Sequence, residues 1–271
     1  MTIRIRRGAA VVLLLFVYTG CSAEDTPLRT DGPSPAPSEA PASTTPDVSP
    51  VPTPASTPTG VDPSGSACPN QDEAVGAAIQ RDRAGSGDID GQGGPDPIFV
   101  VADAQGAPGC AGFVAVDLGA EPVSAAVSFP EIDPRFGFPS FNSTAAINDL
   151  PGEEIVVNVA AGASTQFVSV YTFEGAALIE VSFENAAGDK TSGVFGFGGS
   201  VGHVEAVDCV ADDRVVVSSA TPKGRRYALS RLFLDPLGAA WSAVGAERSI
   251  GSLRQVTNNP EFAGSPFLNC S

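Results

Sequence analysis

Histidine, tryptophan and methionine each occur once in these 271 residues, and tyrosine three times. One imidazole, His203, removes most metal-hydrolase chemistry, which draws on clusters of such ligands. Positive charge is scarce: 15 lysines and arginines face 31 aspartates and glutamates, a net charge of −16. That balance argues against nucleic acid, whose phosphates need basic partners, and against charge-driven binding to anionic lipid. It suits an exported domain and sites for cations. No Cys-x-x-Cys spacing occurs, which argues against a redox motif or a zinc ribbon. The apolar run at 9–18 is ten residues, too short to span a bilayer permanently.

What that run does fit is an export signal. Arg4, Arg6 and Arg7 precede it, and Val17-Tyr18-Thr19-Gly20-Cys21 resembles a bacterial lipobox. Cleavage before Cys21 and lipid attachment to its sulfur are the expectation, with residues 1–20 the signal peptide. An ordinary secretory peptide with a chance cysteine is the alternative. The mature chain loses three of the 15 basic residues and none of the 31 acidic ones, so its net charge is −19.

Residues 22–67 read as a disordered tether. Eleven of the 24 prolines fall there among Ser, Thr and Ala; Leu28 is its one large aliphatic residue, and it has no aromatic. Such a stretch buries too little apolar surface to offset its ordering entropy. In extended polyproline II it reaches on the order of 100 Å. The globular part is 68–271, long enough for one sizeable core. Cys68, Cys110, Cys209 and Cys270 suit two disulfides in an exported chain. Three connectivities are open; Cys68–Cys110 with Cys209–Cys270 is favoured, because each pair brackets one end of the folded region.

One helix is expected at the start of this part. Asn70 is placed to cap and Glu73 to complete a capping box, with Val75, Ala78 and Ile79 on one face. Everything after it reads as strand and turn. Short β-rich runs lie at 98–102, 112–117, 155–159, 167–173, 178–183, 215–219 and 227–234, separated by Gly, Pro, Asn and Asp. An internal repeat links them. Asp96 opens a strand, Phe113 the next, and a third run begins at Val123. Fifty-eight residues on, Glu154, Phe167 and Leu178 repeat the pattern, and a third copy runs from Asp213 through Tyr227. The expected fold is all-β, with propeller-like or blade-like antiparallel repeats of about four strands. Only three good units are countable, so either a fourth is degenerate or the assembly is open.

The most specific chemistry lies at Asp88-Ile89-Asp90-Gly91-Gln92-Gly93-Gly94-Pro95-Asp96. Oxygen donors at Asp88, Asp90, Gln92 and Asp96, with the Gly94 carbonyl, can surround one hard cation while the glycines let the chain curl. No helical pattern flanks the loop and no Glu stands at position 12, so it is not an EF-hand. It resembles the calcium loop of the FG-GAP/VCBS repeats of integrin-like β-propellers. The resemblance covers about residues 85–235. It implies calcium in a structural role and a propeller-like scaffold used for binding or adhesion. In the second unit, Ala146 and Leu150 replace two ligands, so residues 146–154 keep a turn without an ion. The third, at Ala211-Asp212-Asp213, is a turn only.

Other clusters take structural readings. Ser200, His203 and Asp208 are too close in sequence, on a glycine turn, for triad geometry, and His203 is expected to bond a backbone carbonyl. Gly162-Ala163-Ser164-Thr165 reads as a hairpin turn and Lys223-Gly224-Arg225-Arg226 as a solvated loop tip, with contact to an anionic wall polymer its alternative. Trp241, Phe136 and Phe138 read as core. The whole resembles a bacterial, actinobacterial-like surface lipoprotein: non-enzymatic, held to the membrane through lipidated Cys21, and carrying an unidentified wall-polymer or protein ligand. Two other classes are an exported hydrolase of wall polysaccharide using carboxylates such as Glu153, Glu154 and Asp208, and a carrier of lipid or a small ligand.

Overall fold

The computed structural model describes residues 68–270 apart from 82, 120–121, 129–133, 185–188, 211–213 and 263. The signal peptide, Cys21, the tether and the third-unit turn at Asp212 and Asp213 lie outside the described residues.

The fold is mostly β, in antiparallel sheets. The helix α1 (Gln71–Ile79) leads into a first antiparallel meander of β1 (Gly85–Gly87), β2 (Asp96–Ala102), β3 (Gly112–Asp117) and β4 (Pro122–Ala126), which forms its own four-stranded sheet. A second meander follows: β5 (Ser140–Ala145), β6 (Glu154–Ala161), β7 (Thr165–Glu174) and β8 (Ala177–Glu180). The opening hairpins share a register. Gly87 pairs with Asp96 in the first and Ala145 with Glu154 in the second, the same positions 58 residues apart.

The short strands β9 (Ser182–Glu184) and β10 (Lys190–Ser192) and the longer β11 (Val194–Ser200) come next. They precede a third meander of β12 (His203–Val210), β13 (Arg214–Lys223), β14 (Arg226–Asp235) and β15 (Ala240–Gly251). Here the chain departs from separate blades. β11 pairs with both β7 and β12, fusing the second and third meanders into one 11-stranded sheet, and β15 adds parallel to β9. The described strands form no closed propeller.

Burial explains the layering. β6 reads Ile155-Val156-Val157-Asn158-Val159 because both its faces are covered, as a near-continuous apolar run implies. Ile155, Val157 and Val159 pack with Ile98, Val114 and Val116 of the first sheet. Val156 faces the opposite core, shared with Val207, Val215 and Leu234 of the third meander, so the large sheet curls back on itself. On the outer side of the first sheet α1 sets Val75 against Phe99 and Phe113. The disulfides are Cys68–Cys110 and Cys209–Cys270, separated by 42 and 61 residues. Each closes a loop worth roughly 4 kcal/mol in the chain-entropy model.

Three expectations are corrected. Asn70 makes no side-chain cap on α1. Its amide instead donates to Asp103 and to the Cys110 carbonyl, groups that the disulfide brings beside it. The chain is not all strand after α1. A helix α2 (Leu253–Thr257) has a full capping box, with the Ser252 hydroxyl accepting from Gln255 N–H while the Gln255 side chain accepts from Ser252 N–H. Trp241 is core, but Phe136 is 76 % exposed, on the 3-10 turn Pro134–Phe136.

Candidate metal centre

The loop between β1 and β2 brings three carboxylates together. Oxygens of Asp88, Asp90 and Asp96 all lie within 4.8 Å of one another. The backbone builds this convergence. Gly91 and Gly93 adopt φ of 71° and 85°, the left-handed region that favours glycine. The Asp96 carboxylate, at the head of β2, accepts N–H bonds from Ile89 (2.8 Å) and Asp90 (3.3 Å). Asp88 accepts from Gly93 N–H, and Asp90 from Gln92 N–H, each at 3.0 Å. Ile89, buried between these acids, anchors the loop in the core beneath.

The donor set fits calcium. Calcium–oxygen distances of about 2.3–2.6 Å place ligands on opposite sides of one ion about 5 Å apart, so oxygens within 4.8 Å can share it. A carboxylate has about four lone-pair sites, and the loop's amides take only part of them. The Gln92 side-chain amide nitrogen donates to Asp90 at 2.7 Å, which braces one of the three acids. Gly94 lies on the exposed rim.

The second unit reproduces the cage with Ala146 and Asn148 in place of Asp88 and Asp90. The Glu154 carboxylate accepts from Ile147 N–H (2.7 Å) and Asn148 N–H (3.3 Å), the counterparts of Ile89 and Asp90. Ala146 stands where Asp88 does. Thr172 donates its hydroxyl to Glu154, and Asn148 accepts from Leu150 N–H, so the turn is held by its own side chains. Burial pushes the Glu154 carboxyl above the usual range, against the lowering effect of its amide donors.

The two loops also grip each other. Glu153 N–H donates to the Asp88 carbonyl (2.8 Å), while the Glu153 carboxylate accepts from Asp88 N–H (3.0 Å) and the Thr144 hydroxyl (3.1 Å). From sequence Glu153 is only a candidate acid of the hydrolase alternative; a partner 65 residues away leaves no local signal. Gly152, at φ 110°, lies where a Cβ would come within 2.5 Å of the Ile89 carbonyl. Gly152→Ala is therefore expected to destabilise the fold by about 2 kcal/mol, read by urea unfolding. An unchanged midpoint would show that the loops do not hold each other.

The remaining candidates are structural. Gly198-Gly199-Ser200-Val201-Gly202 does carry the Gly-x-Ser-x-Gly spacing of a nucleophile elbow. The structure makes it the β11–β12 hairpin, strand–turn–strand rather than the strand–turn–helix that an elbow requires. His203 pairs with Glu205 at 2.9 Å, a carboxylate instead of the expected carbonyl. Asp208, on the opposite face of β12, binds the side chain and backbone of Asn269. Residues 162–165 form the β6–β7 hairpin, closed by Gly162 N–H to the Thr165 carbonyl at 2.7 Å. Lys223, Arg225 and Arg226 sit at the exposed β13–β14 tip.

One buried polar group had no sequence signal. Tyr171 lies opposite Glu180 across β7 and β8. Burial first, and then the Glu180 charge, pushes its hydroxyl well above 10. Burial also raises the Glu180 carboxyl, which accepts from the Ser128 hydroxyl. Compared with protein-family models, curated proteins and solved structures, the chain matches none.

Proposed function

We propose that this chain is a non-enzymatic, surface-exposed binding or adhesion protein whose first β unit is stiffened by calcium. The observation that carries the reading is the convergence of Asp88, Asp90 and Asp96 at the opening turn of a repeated four-stranded meander. Four-stranded meanders with an acidic opening turn are blade-like, and the FG-GAP/VCBS resemblance rests on that turn. The ion's role is structural. Three like charges this close repel on the order of 1 kcal/mol per pair even in water-like surroundings, and a cation removes that cost. The signal-like N-terminus, the lipobox at Cys21 and the proline-rich tether support export and lipid anchoring at the outer face of a membrane. The ligand in this reading is a wall polymer or a surface protein.

Thermal unfolding of the oxidised mature chain tests the calcium site. With calcium at ten times its dissociation constant, stability should rise by about 1.4 kcal/mol, or about 3–6 °C for a domain of this size. Asp90→Ala should abolish the rise and change little in chelator. Equal destabilisation in both conditions would make the loop a plain turn.

A further inference from the structure

The scarcity of positive charge conceals how it is placed. Seven of the 15 basic residues fall within 214–254, where only Asp235 and Glu247 are acidic. Arg231 is paired with Glu247 and Glu261, and Arg214 packs over Phe233. The other five, Lys223, Arg225, Arg226, Arg248 and Arg254, are all exposed, and none forms an ion pair with a described residue.

The fold gathers these five at one end of the third meander. Lys223 faces Arg226 across the β13–β14 hairpin. Arg226 donates to the Ile250 carbonyl of β15, and Arg248 lies two residues before Ile250 on the same face of that strand. The Ser252–Gln255 capping box starts α2 at this point, with Val256 in the core and Leu253 and Arg254 outside. Tyr227 Oη donates to the Val201 carbonyl at 2.6 Å, which ties the β11–β12 hairpin tip to the same end. The same end also carries bare aliphatic side chains: Val201 is 72 % exposed, Leu253 44 % and Ile250 42 %.

We propose that this end of the third meander docks on an anionic bilayer surface. Net charge does not forbid it. At physiological salt, charges more than about 8 Å away are largely screened, and the two nearer carboxylates, Glu205 and Glu247, are paired with His203 and Arg231, so a bilayer touching this end meets the five cations first. Each Lys or Arg near an anionic leaflet contributes attraction, and aliphatic side chains at the interface add burial. A soluble anionic polymer would satisfy the cations but leave Val201, Leu253 and Ile250 in water. Weak intrinsic affinity is enough for a tethered domain, because the tether keeps its local concentration high.

The test is flotation of the mature chain carrying Cys21→Ser, which has no lipid and so leaves the anchoring proposal aside. It is run in chelator to exclude calcium bridging. The expected result is salt-sensitive binding to vesicles of phosphatidylglycerol and phosphatidylcholine, and little binding to phosphatidylcholine alone. Combining Lys223→Glu, Arg225→Glu and Arg226→Glu should weaken binding by about 100-fold. Val201→Asn with Leu253→Asn should also weaken it, while leaving any binding of inorganic polyphosphate unchanged. Failure to bind the anionic vesicles, or binding indifferent to the charge reversals, overturns the proposal. So does polyphosphate binding as tight as vesicle binding with no effect of the asparagines, which would identify a soluble polymer as the partner.

Discussion

Replacing Trp241 by alanine is expected to cost about 3–5 kcal/mol, the range for deleting a buried large aromatic. For a domain of about 200 residues that is a fall in Tm of about 10–15 °C. The size follows from its position. Trp241 is 1 % exposed and opens β15, where it pairs in parallel with Phe183 of β9. Its ring stacks on Phe195 at 5.5 Å and meets Phe267 edge-on at 6.3 Å. Its Nε1–H donates to the Gly238 carbonyl at 3.1 Å. These contacts join three parts of the chain that nothing local joins: β9–β11, the third meander, and the C-terminal segment fixed by Cys209–Cys270. Trp241→Phe keeps an aromatic ring but leaves the Gly238 carbonyl unpaired and a void behind, so it should cost about 1–2 kcal/mol. Urea unfolding reads both variants. A loss below about 1 kcal/mol for the alanine variant would mean that the curled sheet is held from elsewhere.

The parts of this fold that are legible in sequence are those in which one short segment carries its own reason. β2, β3, β6, β7 and β14 are runs of β-branched and aromatic residues between turns, and the structure forms them within a residue or two of the expected ends. The 58-residue spacing of the first two units is legible because each opens with an acid that caps its own turn. Asp96 and Glu154 do so through the same pair of backbone amides. β15 was not legible. Its run Ser242-Ala243-Val244-Gly245-Ala246-Glu247 is small and mostly exposed, and it becomes a strand because β14 offers a full edge. The fusion of two meanders through β11 was hidden for a related reason. The glycines at 196, 198 and 199 allow close approach to β7 and β12, but glycine content alone reads as loop. In the candidate site the three aspartates were legible from spacing. The Gln92 bond to Asp90 and the Glu153 clasp were not, because each depends on where a side chain turns once the loop is closed. The Ser252-x-x-Gln255 box was a local signal in plain view, obscured by the surrounding strand pattern.

Glu154→Ala should cost about 3–4 kcal/mol, and unlike Asp90→Ala it should do so equally in calcium and in chelator. Glu154 is 2 % exposed. Its carboxylate accepts from two backbone amides and from Thr172 Oγ1. Alanine strands the buried Ile147 amide and the half-buried Asn148 amide, at about 1–3 kcal/mol each, and removes the side chain that shapes the second loop. Glu154→Gln retains one carbonyl acceptor and should cost about 1 kcal/mol. Its dependence on pH carries further information. Desolvation outweighs the amide donors and raises the Glu154 carboxyl above its ordinary value of 4.5. For an acid raised in the folded state, the folded protein binds the proton more tightly than the unfolded chain does. The resulting stability is therefore fully present below the unfolded value and lost as pH rises through the folded one. Glutamine has no such loss, so the penalty for Glu154→Gln should shrink as pH rises through and above the ordinary value in urea titrations. Glu180, raised in the same direction by burial, is present in both proteins and cancels in the comparison. A penalty that grew with pH would show the opposite balance, in which the two amides favour the ionised carboxylate more than burial opposes it. The second loop would then hold a true buried anion, equivalent in charge to Asp96 in the first.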